Sequence, residues 1–330
     1  MANLKIRLVK KDEFQELMNL MNTAFDFKMD EAKFEHILPK LYFKENKDMI
    51  HYGAFLDGKM VASIGLYTMT FVSKYTTLKV GCVGAVSTHP DYRKNGYFSM
   101  LMGKIISYAK KHEFDTLFLG GNRFRYNHFG FENAGRKLII NISKRTKHTL
   151  KPTDFEVIKL ERDNVNDIRE CLNLYNKQTQ HVSRRIDNFY DHIITWDCEP
   201  YVVKVSGKIV GYYAIKNNHD IFEFVFVNKY LDTMLAAALD GKDEVYIMLP
   251  YTLYSNELLR KVDSYSIEHN EMHQVLNWDK VKKYLGYNYE YEEEFNKLSK
   301  REKVRALLGC NEYSSKFCEL DMFIYRTDQG

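Results

Sequence analysis

Long runs of like charge are missing from this sequence of 330 residues, and its net charge is only +4. Electrostatic binding to nucleic acid or to an anionic membrane surface calls for lysines and arginines gathered into a stripe or tail. Neither partner is expected here. Cysteine is also sparse. Cys82, Cys171, Cys198, Cys310 and Cys318 are odd in number and make no Cys-x-x-Cys pair, so no disulfide framework is predicted and a reducing, cytoplasmic location is expected. The opening segment, Met-Ala-Asn-Leu-Lys-Ile-Arg-Leu, has no apolar signal core, and no stretch reaches the roughly 18 apolar residues of a membrane span.

Several chemical motifs are present only in part. Gly53 to Met60 fits G-x-x-x-x-G-K, but Met60 has no hydroxyl for magnesium and the flanks alternate as strands. Gly58 and Lys59 are therefore read as turn residues rather than phosphate ligands. His269-Asn-Glu-Met-His273 spaces two imidazoles four apart, with its glutamate one place too late for a zinc hydrolase. Two surface histidines and no metal are expected. There is no Gly-x-Ser-x-Gly elbow, and Gly120-Gly121 is not a dinucleotide fingerprint.

The remaining composition, 45% hydrophobic and 28% charged, suits a folded chain with two or three packed cores. Ile6 to Val9 reads as a strand, and Phe14, Leu17, Met18, Met21 and Phe25 share one face of a helix. Residues 52–67 read as a hairpin turning on Asp57-Gly58. A strand through Val80 to Thr88, a turn at His89-Pro90, a helix from about Phe98 to His112, a strand at Thr116 to Leu119 and a short helix from Arg123 to Gly130 follow. Residues 201–215 repeat the first hairpin around Gly207, behind a helix-like stretch at Asn164 to Lys177, which points to duplication. A third small unit follows Leu276, with a helix near Lys300 to Leu308 and a last strand near Met322 to Tyr325.

The segment Arg93-Lys-Asn-Gly96-Tyr-Phe-Ser99 stands at the mouth of a predicted helix. The first N–H groups of a helix have no internal partner and carry partial positive charge, so they attract anions. Gly96 allows close approach of the backbone, and Arg93 and Lys94 add cationic donors, so the segment can cradle a diphosphate. An ordinary helix start with a solvated basic pair is the plainer alternative.

Set between a strand ending Ala85-Val86-Ser87-Thr88 and an amphipathic helix, Arg93-x-x-Gly96 resembles the acyl-CoA loop of the GCN5-related N-acetyltransferase (GNAT) superfamily. Tyr126-Asn-His-Phe-Gly130-Phe131-Glu132 is similar to a second segment of that superfamily. Residues 119–131 and the apparent second unit narrow the resemblance to the enhanced-intracellular-survival branch. Phe98 departs from the pattern, standing where Gly or Ala is usual.

The resemblance implies an α/β fold of tandem mixed sheets flanked by helices: a catalytic domain at 1–150, a degenerate one at 151–275 and a shortened sterol-carrier-like α/β unit at 276–330. It implies acetyl-CoA as cosubstrate, held by Val86, Ser87, Thr88, Arg93, Lys94, Asn95, Gly96, Tyr97, Phe98, Ser99 and Asn122. It implies Tyr126 as the acid toward the leaving sulfur and the Gly330 carboxylate as a candidate base. The acceptor would be a primary amine on a small molecule or peptide. Assembly with further copies of the chain is left open. A non-catalytic acyl-CoA-binding scaffold and a tandem aminoacyl- or long-acyl-transferase are the alternatives.

Overall fold

In the computed structural model, which describes residues 3–26, 34–42, 47–313 and 316–329, the chain builds two mixed sheets with one shared plan. The first sheet is formed by β1 (Leu4–Leu8), β2 (Met49–Leu56), β3 (Lys59–Ser73), β4 (Thr77–Thr88), β5 (Thr116–Leu119) and β6 (Glu132–Asn133). The chain then crosses into the second sheet with β7 (Arg136–Ser143) and β8 (Glu156–Lys159). After β9 (Gln180–Val182), which pairs with β3, come β10 (Glu199–Val205), β11 (Lys208–Lys216), β12 (Asp220–Phe226), β13 (Glu244–Pro250), β14 (Ser264–His269) and β15 (Met272–Val275).

The strand orders are β1-β2-β3-β4-β5-β15-β6 and β8-β10-β11-β12-β13-β7-β14. The halves are thus duplicates that have traded one strand. β15 lies between β5 and β6 of the first sheet, while β7 lies between β13 and β14 of the second. The sheets therefore do not divide at residue 150, because each borrows a strand from the other side of that boundary. At the crossing, Gly135 has φ +74°, and a Cβ there would stand 2.4 Å from the Met322 carbonyl oxygen. Only glycine fits that crossing without backbone movement.

Both hairpins form where turn chemistry predicts them. Asp57 and Gly58 have φ of 49° and 89°, and Ser206 and Gly207 have 49° and 74°. Two successive positive φ values match the twist of the flanking strands. The helix Phe14–Ala24 buries Leu17, Met18, Leu20 and Met21, but Phe14 and Phe25 at its ends stay 41% and 46% exposed. The helix Tyr97–Lys111 buries Tyr97, Leu101, Met102, Ile105 and Ala109 on the opposite face of the first sheet, with each large aliphatic side chain contributing about 2 kcal/mol.

The segment beyond β15 departs from the expectation of a separate third unit. Its helices Trp278–Leu285, Glu292–Lys297 and Lys300–Leu308 bury Val281, Phe295 and Leu307 in the same core as Leu17, Met21 and Phe71. Met322 to Tyr325 joins no ladder. Its apolar side chains are buried, and the Ile324 backbone pairs instead with the Asn270 amide, which accepts from Ile324 N at 2.7 Å and donates to Ile324 O at 3.2 Å.

Candidate active site

The first sheet opens at its centre. β4 and β5 run parallel and pair only from Val80–Cys82 to Thr116–Phe118, although β4 continues to Thr88. On the other side of β4, Ser87 pairs with Ser63 and Gly84 with Gly65, so Ala85 and Val86 together oppose Ile64. This bulge puts Ala85 at φ +48°, a conformation disfavoured for alanine, and re-aims the backbone next to the gap. The gap is the floor of a cleft of about 1100 Å³.

The basic loop forms one rim. Gly96, at φ +76°, is the N-cap of the helix Tyr97–Lys111 and no side chain caps it. The first helical turn, Tyr97, Phe98 and Ser99, lines the cleft with Arg93, Lys94 and Gly96. A Cβ added to Gly96 would meet no atom within 4 Å, so the space over this helix start is open. Asn95 also lines the cleft, but its amide donates to the Tyr92 and Arg93 carbonyls at 3.0 and 3.3 Å and shapes the loop. Arg93 donates to the Ala24 carbonyl at 3.2 Å, tying the loop to the end of the first helix.

Tyr126 lines the cleft and is 6% exposed. Burial raises its phenol pKa, and the neighbouring Arg125 offsets this in part, so the hydroxyl is protonated at neutral pH. A Cβ on Gly121, which has φ +148°, would stand 2.6 Å from Tyr126 Cε2. The glycine thus makes room for the ring. Phe98 turns its half-buried ring edge-on to Tyr126 and Phe129, each with centroids 5.6 Å apart. Its bulk therefore packs against the protein while its backbone stays at the helix start.

The far wall comes from distant sequence. Trp196, Glu271, Arg326 and Gln329 all line the cleft, and none of them was anticipated. Arg326 lies over the Trp196 ring at 4.5 Å and donates to Gln329 Oε1 at 2.6 Å. The tail is clamped by a buried polar network. Asp328 accepts from Arg184 Nε at 2.9 Å, Tyr175 OH at 2.8 Å and His192 Nδ1 at 3.1 Å. Arg184 in turn grips Glu223 through two bonds of 2.8 and 2.7 Å. Lys40 donates to the Thr327 and Gln329 carbonyls, and burial lowers its pKa to about 7.

Among the expected site residues, Val86, Thr88, Arg93, Lys94, Asn95, Gly96, Tyr97, Phe98, Ser99 and Tyr126 line this one cleft. Ser87 does not; it is 1% exposed, and its hydroxyl donates to the Ala85 carbonyl within the bulge. Asn122 is exposed and caps the short helix Arg123–Tyr126, accepting from Phe124 N at 2.9 Å. Gly330 lies outside the described residues. His273, expected at the surface, is fully buried because β15 is interior, and its Nε2 bonds the Asn270 carbonyl at 2.8 Å. No cluster of side chains suited to a metal ion, and no helix long and apolar enough to cross a membrane, occurs among the described residues.

A mixed sheet split between parallel strands, with a bulge on one lip and an uncapped helix start beside it, has the architecture of an acyltransferase fold. Two family models described as acetyltransferase (GNAT) domain match the chain, at residues 5–134 and 164–237. Together they span more than half of it, and the chain is built of GNAT acetyltransferase domains. The first match ends where the chain leaves the first sheet. No curated protein matches. Among solved structures, a conserved Enterococcus faecalis V583 protein described as a probable N-acyltransferase is 14% identical, with TM-score 0.70, 87% of this chain covered and 76% of that one. A GCN5-related N-acetyltransferase from Kribbella flavida is 12% identical, with TM-score 0.66 and coverage of 87% and 74%. Eis1 from Mycobacterium abscessus is 15% identical, with TM-score 0.62 and coverage of 86% and 77%. These likenesses concern the fold.

Proposed function

We propose that the chain is an N-acyltransferase that uses acetyl-CoA and delivers the acyl group to a primary amine of a small molecule or peptide. One observation carries this reading: an open helix start behind a basic loop, a split strand pair and a buried phenol all face the same cleft. The residues fit a diphosphate. Tyr97, Phe98 and Ser99 form the first turn of a helix, where N–H groups have no internal partner, and they line the cleft with Arg93 and Lys94. Val86 and Thr88 stand on the free lip of β4, where an amide-bearing pantetheine arm can pair as an added strand.

The thioester supplies an activated acyl carbon. The chain orients it and stabilises the charge that develops at its oxygen, with the backbone N–H beside the bulge at Val86 as donor. Tyr126, kept protonated by burial, donates its proton to the departing sulfur. The second half contributes structure instead. The turn between β12 and the helix Leu231–Ala238 has no glycine, and Asp232 in the first turn of that helix accepts from Lys151 N at 3.0 Å. A carboxylate there opposes a diphosphate.

The tandem order of domains supports placement beside the enhanced-intracellular-survival branch. The cysteines, free and buried, support a cytoplasmic location. Isothermal titration with acetyl-CoA and a thiol-release assay with amines test the function. Arg93→Ala should weaken binding about tenfold, whereas Tyr126→Phe should leave binding intact and slow turnover about 100-fold. Failure of the wild type to bind acetyl-CoA would overturn the reading.

A further inference from the structure

Among the described residues lining the cleft, Glu271 is the only carboxylate; the other charged side chains are Arg93, Lys94, Arg125 and Arg326, and the other titratable ones are Cys82, Tyr92, Tyr97 and Tyr126. In a cleft otherwise cationic, a single anion marks where a cation can be held. Its position is defined. A Cβ built on Gly120 would lie 2.8 Å from Glu271 Oε2, so the carboxylate lies over bare backbone at the end of β5, beside the split between β4 and β5. Gly84 and Phe118 line the cleft from those two strands. The Glu271 side chain is 11% exposed, and Arg326 Nη1 is 3.9 Å from its Oε1, which leaves Oε2 as the oxygen nearer the strand ends.

The turn that carries Glu271 is rigid. Asn270, fully buried, is bonded to the Ile324 backbone through both amide atoms, its N–H donates to the Gly135 carbonyl at 3.2 Å, and its carbonyl meets His273 Nε2 at 2.8 Å. Glu271 itself has φ +76°, a left-handed turn conformation uncommon for a side chain of this size. Phe25, Phe34, Phe118 and Trp196 line the same cleft. Aromatic faces attract alkylammonium ions, and their apolar surface suits a carbon chain. Glu271 is supplied by the connection into the exchanged strand β15, Phe25 and Phe34 by the N-terminal segment, Phe118 by β5 and Trp196 by the second half.

We infer that Glu271 binds the acceptor as an alkylammonium ion and removes the proton that makes its nitrogen nucleophilic. The inference rests on the acyl-transfer reading above. Glu271 takes one proton from the ammonium, and the nitrogen lone pair forms a C–N bond to the acyl carbon of the thioester. The C–S bond breaks, and the sulfur leaves with its electron pair and takes the Tyr126 proton. The nitrogen loses its second proton, which restores the phenol, and Glu271 releases the first to solvent. The products are an amide, a thiol and one proton.

Two probes test this in the full-length protein. 1,6-Diaminohexane is protonated at neutral pH, as a lysine is with its pKa of about 10.4. Methoxyamine is already neutral and needs no base. Glu271→Gln should lower kcat/KM for the diamine about 100-fold, lower that for methoxyamine by no more than about threefold, and leave acetyl-CoA affinity unchanged by titration. Part of the diamine deficit should return as pH rises toward 10. Equal losses on both probes, or diamine turnover within about threefold of wild type, would overturn the assignment while leaving the transferase standing. If wild-type protein releases no thiol with either amine, the transferase reading falls and this assignment with it.

Discussion

Removing the Asp328 carboxylate should both destabilise the protein and free one wall of its cleft. Asp328 is 1% exposed and accepts from three buried donors, on Arg184, Tyr175 and His192. Burial pushes its pKa up, but the Arg184 charge and the His192 hydrogen bond more than compensate and hold the carboxyl well below its usual range. Asp328→Ala leaves Arg184 in the interior with Glu223 as its carboxylate partner. Breaking one side of a buried ion pair costs about 3–5 kcal/mol. Glu223 keeps its two bonds to Arg184, which cuts that part to about 2 kcal/mol, and the Tyr175 hydroxyl and His192 ring left behind add roughly 1 kcal/mol each, about 4 kcal/mol in all. Asp328→Asn, which retains shape and one acceptor, should cost about half as much. Arg184→Met placed in the Asp328→Ala background should show a favourable coupling of about 2 kcal/mol.

Trp196 supplies the assay. The chain has two tryptophans, and Trp196 donates from Nε1 to the Arg326 carbonyl at 3.1 Å. In a Trp278→Phe background, urea titration followed by Trp196 emission reports tail release, and circular dichroism reports global unfolding. In the Asp328→Ala variant the emission transition should precede the dichroism transition. A loss below about 1 kcal/mol, or no coupling with Arg184, would refute the account of this network.

Two further outcomes follow from the same geometry. Gly121→Ala should push the Tyr126 ring aside, because the added Cβ would lie 2.6 Å from it; thiol release should fall at least about tenfold with acetyl-CoA affinity retained, since a misplaced catalytic group costs rate rather than binding. Burial lowers His51 and His192 to about 3 and His273 to about 4. Each is neutral when folded but takes up a proton below about 6.5 when unfolded, so stability is full above that pH and falls as pH drops toward 4, by at most about 1.4 kcal/mol per unit per histidine. Urea midpoints measured from pH 7 to 4.5 should decline accordingly, and a flat profile would contradict the neutral burial of these rings.

What could be read from the sequence was what local chemistry decides. Asp57-Gly58 and Ser206-Gly207 announce their hairpins because few residues accept positive φ. The loop at Arg93 to Gly96 and the helix behind it stand where glycine and apolar spacing place them. The strand exchange left no such mark. Arg136–Ser143 and Met272–Val275 are ordinary short strands, and which sheet accepts each is decided by contacts far away in sequence. Met322 to Tyr325 reads as a strand because it is apolar; what it lacks is a strand partner, which no local pattern records. Glu271 is hidden for a related reason: it becomes part of the cleft only because β14 and β15 enter different sheets.

That trade of strands carries a consequence for inheritance as well as for folding. Each half keeps the other's missing piece, like two books bound with one gathering interchanged, so neither can be excised, shuffled or replaced by recombination without leaving a hole in both. Sequence change at Arg136–Ser143 and at Met272–Val275 is answerable to the opposite half of the gene, so the second copy cannot be lost without opening the first sheet.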